Sequence, residues 1–389
     1  MTSRSNRSDT PYQLDLGALP PLAELEADWR RLEANAAPSF FTSWSWIGCW
    51  LETLPAERRP QLLRARQGGR SVGLALLTRQ PRQRFGLPFC DSWHLNATGD
   101  MLYDILTIEH NGFLLDASQA EPVRAAMLAH WAGRSRGASE LLLPGQAGTG
   151  LPAGDTGKLM REDWVRASYG VDLAAVRDKK GDYLALLSSN TRSQIRRSIK
   201  EYEKIGPLRL SVASSVTEGI QYLAALAELH QRHWVERGEP GAFSNPFFQR
   251  FHERLIERNL LRGEIQLLRI SVGERDLGYL YSFVLGGRVY FYQSGFDYEL
   301  IDKHSRPGLV AHVLGVQHNA GLGHMVYDFM AGDSRYKLNL ATLNEQMTWS
   351  TLRKPAWRFQ LEQVLRERCR RQREASQPAA AEATAEAAD

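Results

Sequence analysis

Hydrophobic positions along this chain switch between a helical period and a strand period, and the switches mark out its elements. Residues 21–34 predict a first helix. After Phe40-Phe41-Thr42-Ser43-Trp44, the residues Trp46, Ile47, Trp50, Leu51 and Leu54 share one helical face and predict a second, amphipathic helix. Residues 61–66 and 71–78 read as the arms of a β-hairpin around Gly68-Gly69. Residues 124–135 predict a helix and 140–143 a short strand, and the Gly-, Pro- and Thr-rich stretch 145–157 reads as a loop.

The second half repeats this logic. Residues 189–205 predict a helix that opens on Ser and Asn and ends at Gly206-Pro207. Helices over 219–237 and 247–259 follow. A three-stranded meander then spans 264–272, 277–285 and 288–296, with turns at Gly273-Glu274 and Gly286-Gly287. A helix over 307–320 carries Pro in its first turn, and a short strand covers 325–330. Gly69-Arg70-Ser71-Val72-Gly73-Leu74 and Glu274-Arg275-Asp276-Leu277-Gly278-Tyr279 echo one another, which suggests two related α/β units in tandem. The expected division is a disordered 1–11, a first domain at 12–175, a second at 176–357, and a charged helix with an Ala-rich disordered tail at 358–389.

Composition narrows the class. Hydrophobic residues make up 43% and charged residues 24%, ordinary values for a soluble globular protein. No apolar run is long enough to span a bilayer, and Met1 to Thr10 is not followed by a secretory h-region. Cys49, Cys90 and Cys369 lie far apart, which argues against a disulfide framework and for a cytoplasmic location. A formal charge of +4 allows an anionic substrate without demanding nucleic acid.

The chemistry gathers in Val326-Tyr327-Asp328-Phe329-Met330-Ala331-Gly332-Asp333-Ser334-Arg335-Tyr336-Lys337. A buried strand opens here into polar groups. Asp333 is an acceptor, Tyr336 a weak acid and Lys337 a cation, the types needed for acid/base work. His230 and His233 sit one helical turn apart beside Trp234. They lack a third ligand nearby, so no metal is expected, and His233 with Trp234 is read as a substrate contact. Arg192, Arg196 and Lys200 follow one another at i,i+4 and form a basic stripe, read as the side facing a phosphorylated or lipid-linked acceptor and not nucleic acid.

Taken together, Phe41-Thr42-Ser43-Trp44, Asn190-Thr191-Arg192-Ser193-Gln194-Ile195-Arg196-Arg197, Tyr292-Gln293-Ser294-Gly295-Phe296-Asp297 and Asp328 through Gly332-Asp333 to Tyr336-Lys337 resemble the CelD/BcsL-like GNAT acetyltransferases. These are tandem-GNAT proteins related to the FemABX group. The resemblance covers roughly residues 38–357 and implies two tandem GNAT-like domains with mixed sheets. It implies transfer of acetyl from an acetyl-CoA co-substrate to an amine or hydroxyl of a sugar or polysaccharide precursor. Membrane-bound polysaccharide-synthesis machinery is the implied partner. Gln293, Ser294 and Gly295 would hold the thioester. Lys303, Arg306 and Gly308 would hold the pyrophosphate, although Asp302-Lys303-His304-Ser305-Arg306-Pro307-Gly308 has fewer glycines than the usual phosphate loop of the superfamily. Tyr336 would protonate the leaving thiolate. An aminoacyl donor, as in the FemABX group, and a non-catalytic module that binds the synthesis machinery are the alternatives.

Overall fold

The computed structural model describes residues 11–84, 86–300 and 306–376. Its first half comprises β1 (Gln13–Gly17), α1 (Leu22–Glu33), α2 (Trp44–Thr53), β2 (Gln61–Gln67), β3 (Arg70–Arg84), β4 (Leu87–Leu95), α3 (Met101–Asp104), β5 (Leu114–Leu115), α4 (Ala120–Arg134) and β6 (Ser139–Ala147). The chain continues through β7 (Met160–Asp172), α5 (Leu173–Asp178), α6 (Ser189–Glu203), β8 (Leu208–Val212), α7 (Val216–Val235) and α8 (Pro246–Asn259). Then come β9 (Ile265–Val272), β10 (Arg275–Leu285), β11 (Arg288–Phe296), α9 (Pro307–Gly321), β12 (Val326–Ala331), α10 (Arg335–Leu340), β13 (Leu343–Arg353) and α11 (Trp357–Ser376).

Local chemistry sets the helix starts. Ser188 caps α6 by accepting from the Thr191 amide at 3.2 Å. At α7, Ser215 accepts from the Glu218 amide, and the Glu218 carboxylate reaches back to the Ser214 amide at 2.7 Å. Asn245 caps α8, and Pro246 occupies its first turn. Along α8, Phe247, Phe248, Phe251, His252, Leu255, Ile256 and Asn259 form the buried stripe.

The strands join in one mixed sheet ordered β1-β2-β3-β4-β6-β13-β7-β12-β11-β10-β9-β8, with β5 added to β3. The order is nearly symmetric about its centre. The meander β2-β3-β4 and its parallel neighbour β6 mirror β9-β10-β11 and its parallel neighbour β12. The two central strands are exchanged. β7 follows the first repeat but pairs with β12 of the second, and β13 follows the second but pairs with β6 of the first. The exchange places β12 inside the sheet, as its short apolar sequence predicts.

A single apolar cluster also spans the repeats. The Phe40 ring stacks on Phe283 at 4.5 Å, and Trp46 packs edge-on to Phe251 at 4.7 Å. The second helix, predicted to be amphipathic, is buried from Trp44 to Leu51 because α1 and α8 both pack on it. Strands β7 and β13 gave no alternating signal. Glu162 to Val165 and Asn344 to Gln346 are exposed, so neither stretch alternates apolar with polar residues.

Candidate active site

The site grows from a gap in the sheet. β11 and β12 run parallel and pair only from Arg288–Val326 to Tyr290–Asp328. Beyond that point no register joins them, and β11 continues through Phe296 on β10 alone. The β12 backbone turns away: Met330 has φ of +66° and Gly332 of +126°. Gly295 is required where α7 crosses β11, because a Cβ there would lie 2.3 Å from the Leu226 carbonyl oxygen.

Two cavities open at this gap. One of about 500 Å³ is bounded by Asn190 and Gln194 of α6, Arg306, Gly308 and His312 at the start of α9, and Tyr336 of α10. The other, about 820 Å³, is bounded by His230, His233 and Trp234 of α7, Tyr292 to Gly295 of β11, Met330 and Ala331, Tyr336 and Lys337. Ile105, Thr107 and Glu109, from the long β4–α4 connection of the first half, complete its wall. Ser294, Phe296, Tyr298 and Tyr336 belong to both cavities, so the two meet there.

The smaller cavity ends on the amino terminus of α9, a positive dipole end with outward amides. Arg306 sits at its cap with φ of +46° and donates to Gln194 Oε1 at 2.5 Å. Gly308 lets the helix approach the Phe296 ring, which a Cβ would meet at 3.2 Å. Lys303 and His304 lie outside the described residues.

Tyr336 lies flat against His312, with centroids 5.7 Å apart and planes 13° apart. Burial pushes the phenol pKa up, so the hydroxyl keeps its proton. Burial, with Lys337 nearby, drives His312 down to about 3, so it is a neutral packing surface. Lys337 donates to the carbonyls of Ala331 at 2.7 Å and Met330 at 3.3 Å, and burial lowers its pKa.

The structure separates the remaining sequence candidates. Gln293, Ser294, Gly295, His233 and Trp234 are in the larger cavity wall, with His233 stacked on Tyr298 at 4.6 Å. Asp333 is 75% exposed at its side chain, borders neither cavity and faces Arg166 at 3.9 Å. Arg192, Arg196 and Lys200 also border neither cavity. α6 turns Asn190 and Gln194 inward, two positions round the helix from Arg192 and Arg196.

Glu109 and its neighbours were not among the residues singled out from the sequence. Glu109 is 8% exposed and accepts from the Ala331 amide at 2.7 Å. His110 Nε2 lies 2.7 Å from Asp328, which also accepts from Arg288 at 2.8 Å and from the Met330 amide at 2.7 Å. Burial alone would raise the Asp328 carboxyl, but His110 and Arg288 more than offset it and hold it below the usual range. The one available signal was polar residues at 109–111 flanked by apolar ones; the partners of Glu109 and His110 are some 220 residues away along the chain.

Residues 189–338 match the acetyltransferase (GNAT) domain family. A solved FemX structure is similar over 86% of this chain and 96% of its own, with a TM-score of 0.51 at 12% identity. The C-terminal domain of a putative lysylphosphatidylglycerol synthetase from Agrobacterium fabrum is similar over 85% and 92%, with a TM-score of 0.51 at 11% identity. A tandem GNAT protein from the clavulanic acid biosynthesis pathway aligns over 87% and 98%, with a TM-score of 0.42 at 12% identity. Comparison with curated protein sequences gave no match. The fold is thus a mixed α/β fold of the GNAT kind, and residues 189–338 form its GNAT-type acyltransferase domain.

Proposed function

We propose that the chain transfers acetyl from acetyl-CoA to an amine or hydroxyl of a sugar or polysaccharide precursor. The observation that carries this reading is the meeting of two cavities at Tyr336 in the gap between β11 and β12. The donor diphosphate would sit at the start of α9 with Arg306, and the pantetheine arm would run along β11 past Ser294. The thioester would then lie where the cavities meet. There the backbone of β11 has no partner strand on the β12 side and can polarise the carbonyl. The Tyr336 hydroxyl would protonate the departing thiolate. Trp234 and Tyr298 offer aromatic faces at the larger cavity, which suit the C–H face of a sugar ring. The resemblance to the CelD/BcsL-like group points to the same acceptor class.

The test is mass spectrometry of amino sugars and cello-oligosaccharides incubated with acetyl-CoA and the protein. Addition of one acetyl group is expected. Bound acetyl-CoA with no acetylation of either set would remove this acceptor class.

A second reading is an aminoacyl donor carried on RNA. It is favoured by the stripe Arg196, Arg197 and Lys200, exposed on the helix that reaches the donor cavity. Competition of uncharged tRNA with acetyl-CoA, weakening steeply with salt, would establish it.

A further inference from the structure

We propose that Glu109, supplied by the first repeat, is the general base that takes the acceptor's proton. The inference rests on the acyltransferase reading above and names a residue that the second repeat alone could not provide.

The β4–α4 connection reaches across the molecule and is fixed on both sides. Within the first repeat, Ser39 Oγ donates to the His110 carbonyl at 2.6 Å, and the Asn111 amide donates to the Gly145 carbonyl at 2.9 Å. Toward the second repeat, the Tyr292 hydroxyl donates to the Leu106 carbonyl, His110 meets Asp328, and Glu109 holds the Ala331 amide. The outcome is a carboxylate in the wall of the larger cavity, together with Tyr336, held by peptide bonds of the strand that forms the gap.

The carboxylate faces the buried Lys337 ammonium and accepts from the Ala331 amide. The Ala331 amide would be satisfied equally by a neutral oxygen, and burying a carboxylate is costly. The groups around it are Lys337 from α10, Asp328 from β12, Tyr292 from β11 and His110 from its own connection. Burial outweighs the favourable charge of Lys337 and raises the Glu109 carboxyl above its ordinary range, toward the pH at which a base works best.

The step balances. The acceptor nitrogen or oxygen attacks the thioester carbon, and its proton passes to Glu109. The C–S bond breaks, and sulfur leaves with the electron pair and takes the Tyr336 proton. The Glu109 proton then returns to the Tyr336 oxygen through water. The net change is acyl transfer with release of free CoA thiol.

Glu109→Gln isolates the role, because the amide oxygen still accepts from Ala331 while the side chain can no longer take a proton. CoA release from acetyl-CoA would be followed against pH, with amino sugars, with cello-oligosaccharides and with water alone as nucleophile. In the wild type the rate should rise with pH through a carboxyl ionisation above the ordinary range. In Glu109→Gln that rise should vanish and the rate should fall about 10²–10⁴-fold. Glu109→Asp should recover part of the loss, and acetyl-CoA affinity and melting behaviour should be unchanged. Equal CoA release by wild type and Glu109→Gln at every pH, at whatever level, with acetyl-CoA bound, overturns the proposal. If acetyl-CoA does not bind the wild type, the donor assignment fails and this proposal falls with it.

Discussion

The two repeats share one topology but differ at the place where parallel strands part. In the second repeat the gap between β11 and β12 opens into cavities of about 500 and 820 Å³, with the start of α9 at one end. In the first repeat β4 and β6 pair from Asp91–Ser139 to His94–Leu142, and the matching space is a cavity of about 260 Å³. Large side chains, Trp50, Tyr103 and Trp349, line it. The difference lies in the connections. In the second repeat α9 begins at Pro307, and its start borders the cavity. Residues 96–119 separate β4 from α4 and hold α3, β5 and the segment that carries Glu109 into the other repeat. The second repeat thus supplies most of the lining of the two larger cavities, and the first repeat adds Ile105, Thr107 and Glu109 to one wall.

The sharpest way to break this comparison is Tyr336→Phe. The change removes one proton donor and keeps the stacking on His312. Turnover should fall about 10²–10⁴-fold in steady-state assays, with the melting temperature nearly unchanged. Full activity would take the second-repeat site out of the chemistry.

Gly295→Ala tests the packing that keeps the gap in shape. The new Cβ would press on the Leu226 carbonyl and force α7 off β11. Chemical denaturation should show a loss of about 1–3 kcal/mol. A neutral result would mean that α7 moves freely at this contact.

Acid should weaken the molecule through the buried histidines His252 and His312. Burial drives each to about 3. Unfolded imidazoles bind protons below about pH 6.5, while the folded ones stay neutral. Stability should therefore fall as pH drops from about 6.5 toward 3, by about 1.4 kcal/mol per pH unit for each group. His312→Gln should flatten that slope by one proton's worth without altering stability at pH 8 as steeply. An unchanged slope would place His312 in contact with water.

The smallest effect belongs to the first repeat. His94 lines its cavity, and His94→Ala should leave acetyl-CoA affinity and turnover unchanged. A clear loss of donor affinity would give the first repeat a donor role.

Much of the fold was legible in the sequence, and for definite reasons. The meander β9-β10-β11 shows turn glycines at Gly273 and Gly286-Gly287, and α9 shows Pro307. Tyr336 and Lys337 were legible because a short apolar strand ends just before them. The exchange of β7 and β13 was not, since exposed polar residues such as Asp163 and Glu345 carry no period and pairing across the molecule leaves no local trace. The basic stripe was visible, but which face of α6 meets a cavity depends on how α6 packs on α9. Glu109 stayed hidden for the same reason: its significance lies in the Ala331 amide that it meets.

The central claim, one donor site built by the second repeat, is tested most directly by calorimetric titration of acetyl-CoA into the wild type and Arg306→Ala. The expected result is one site per chain in the wild type. In Arg306→Ala, loss of a charged hydrogen-bond donor at the start of α9 should weaken affinity by about 10–100-fold. Two sites per chain, or an affinity that Arg306→Ala leaves unchanged, would contradict it.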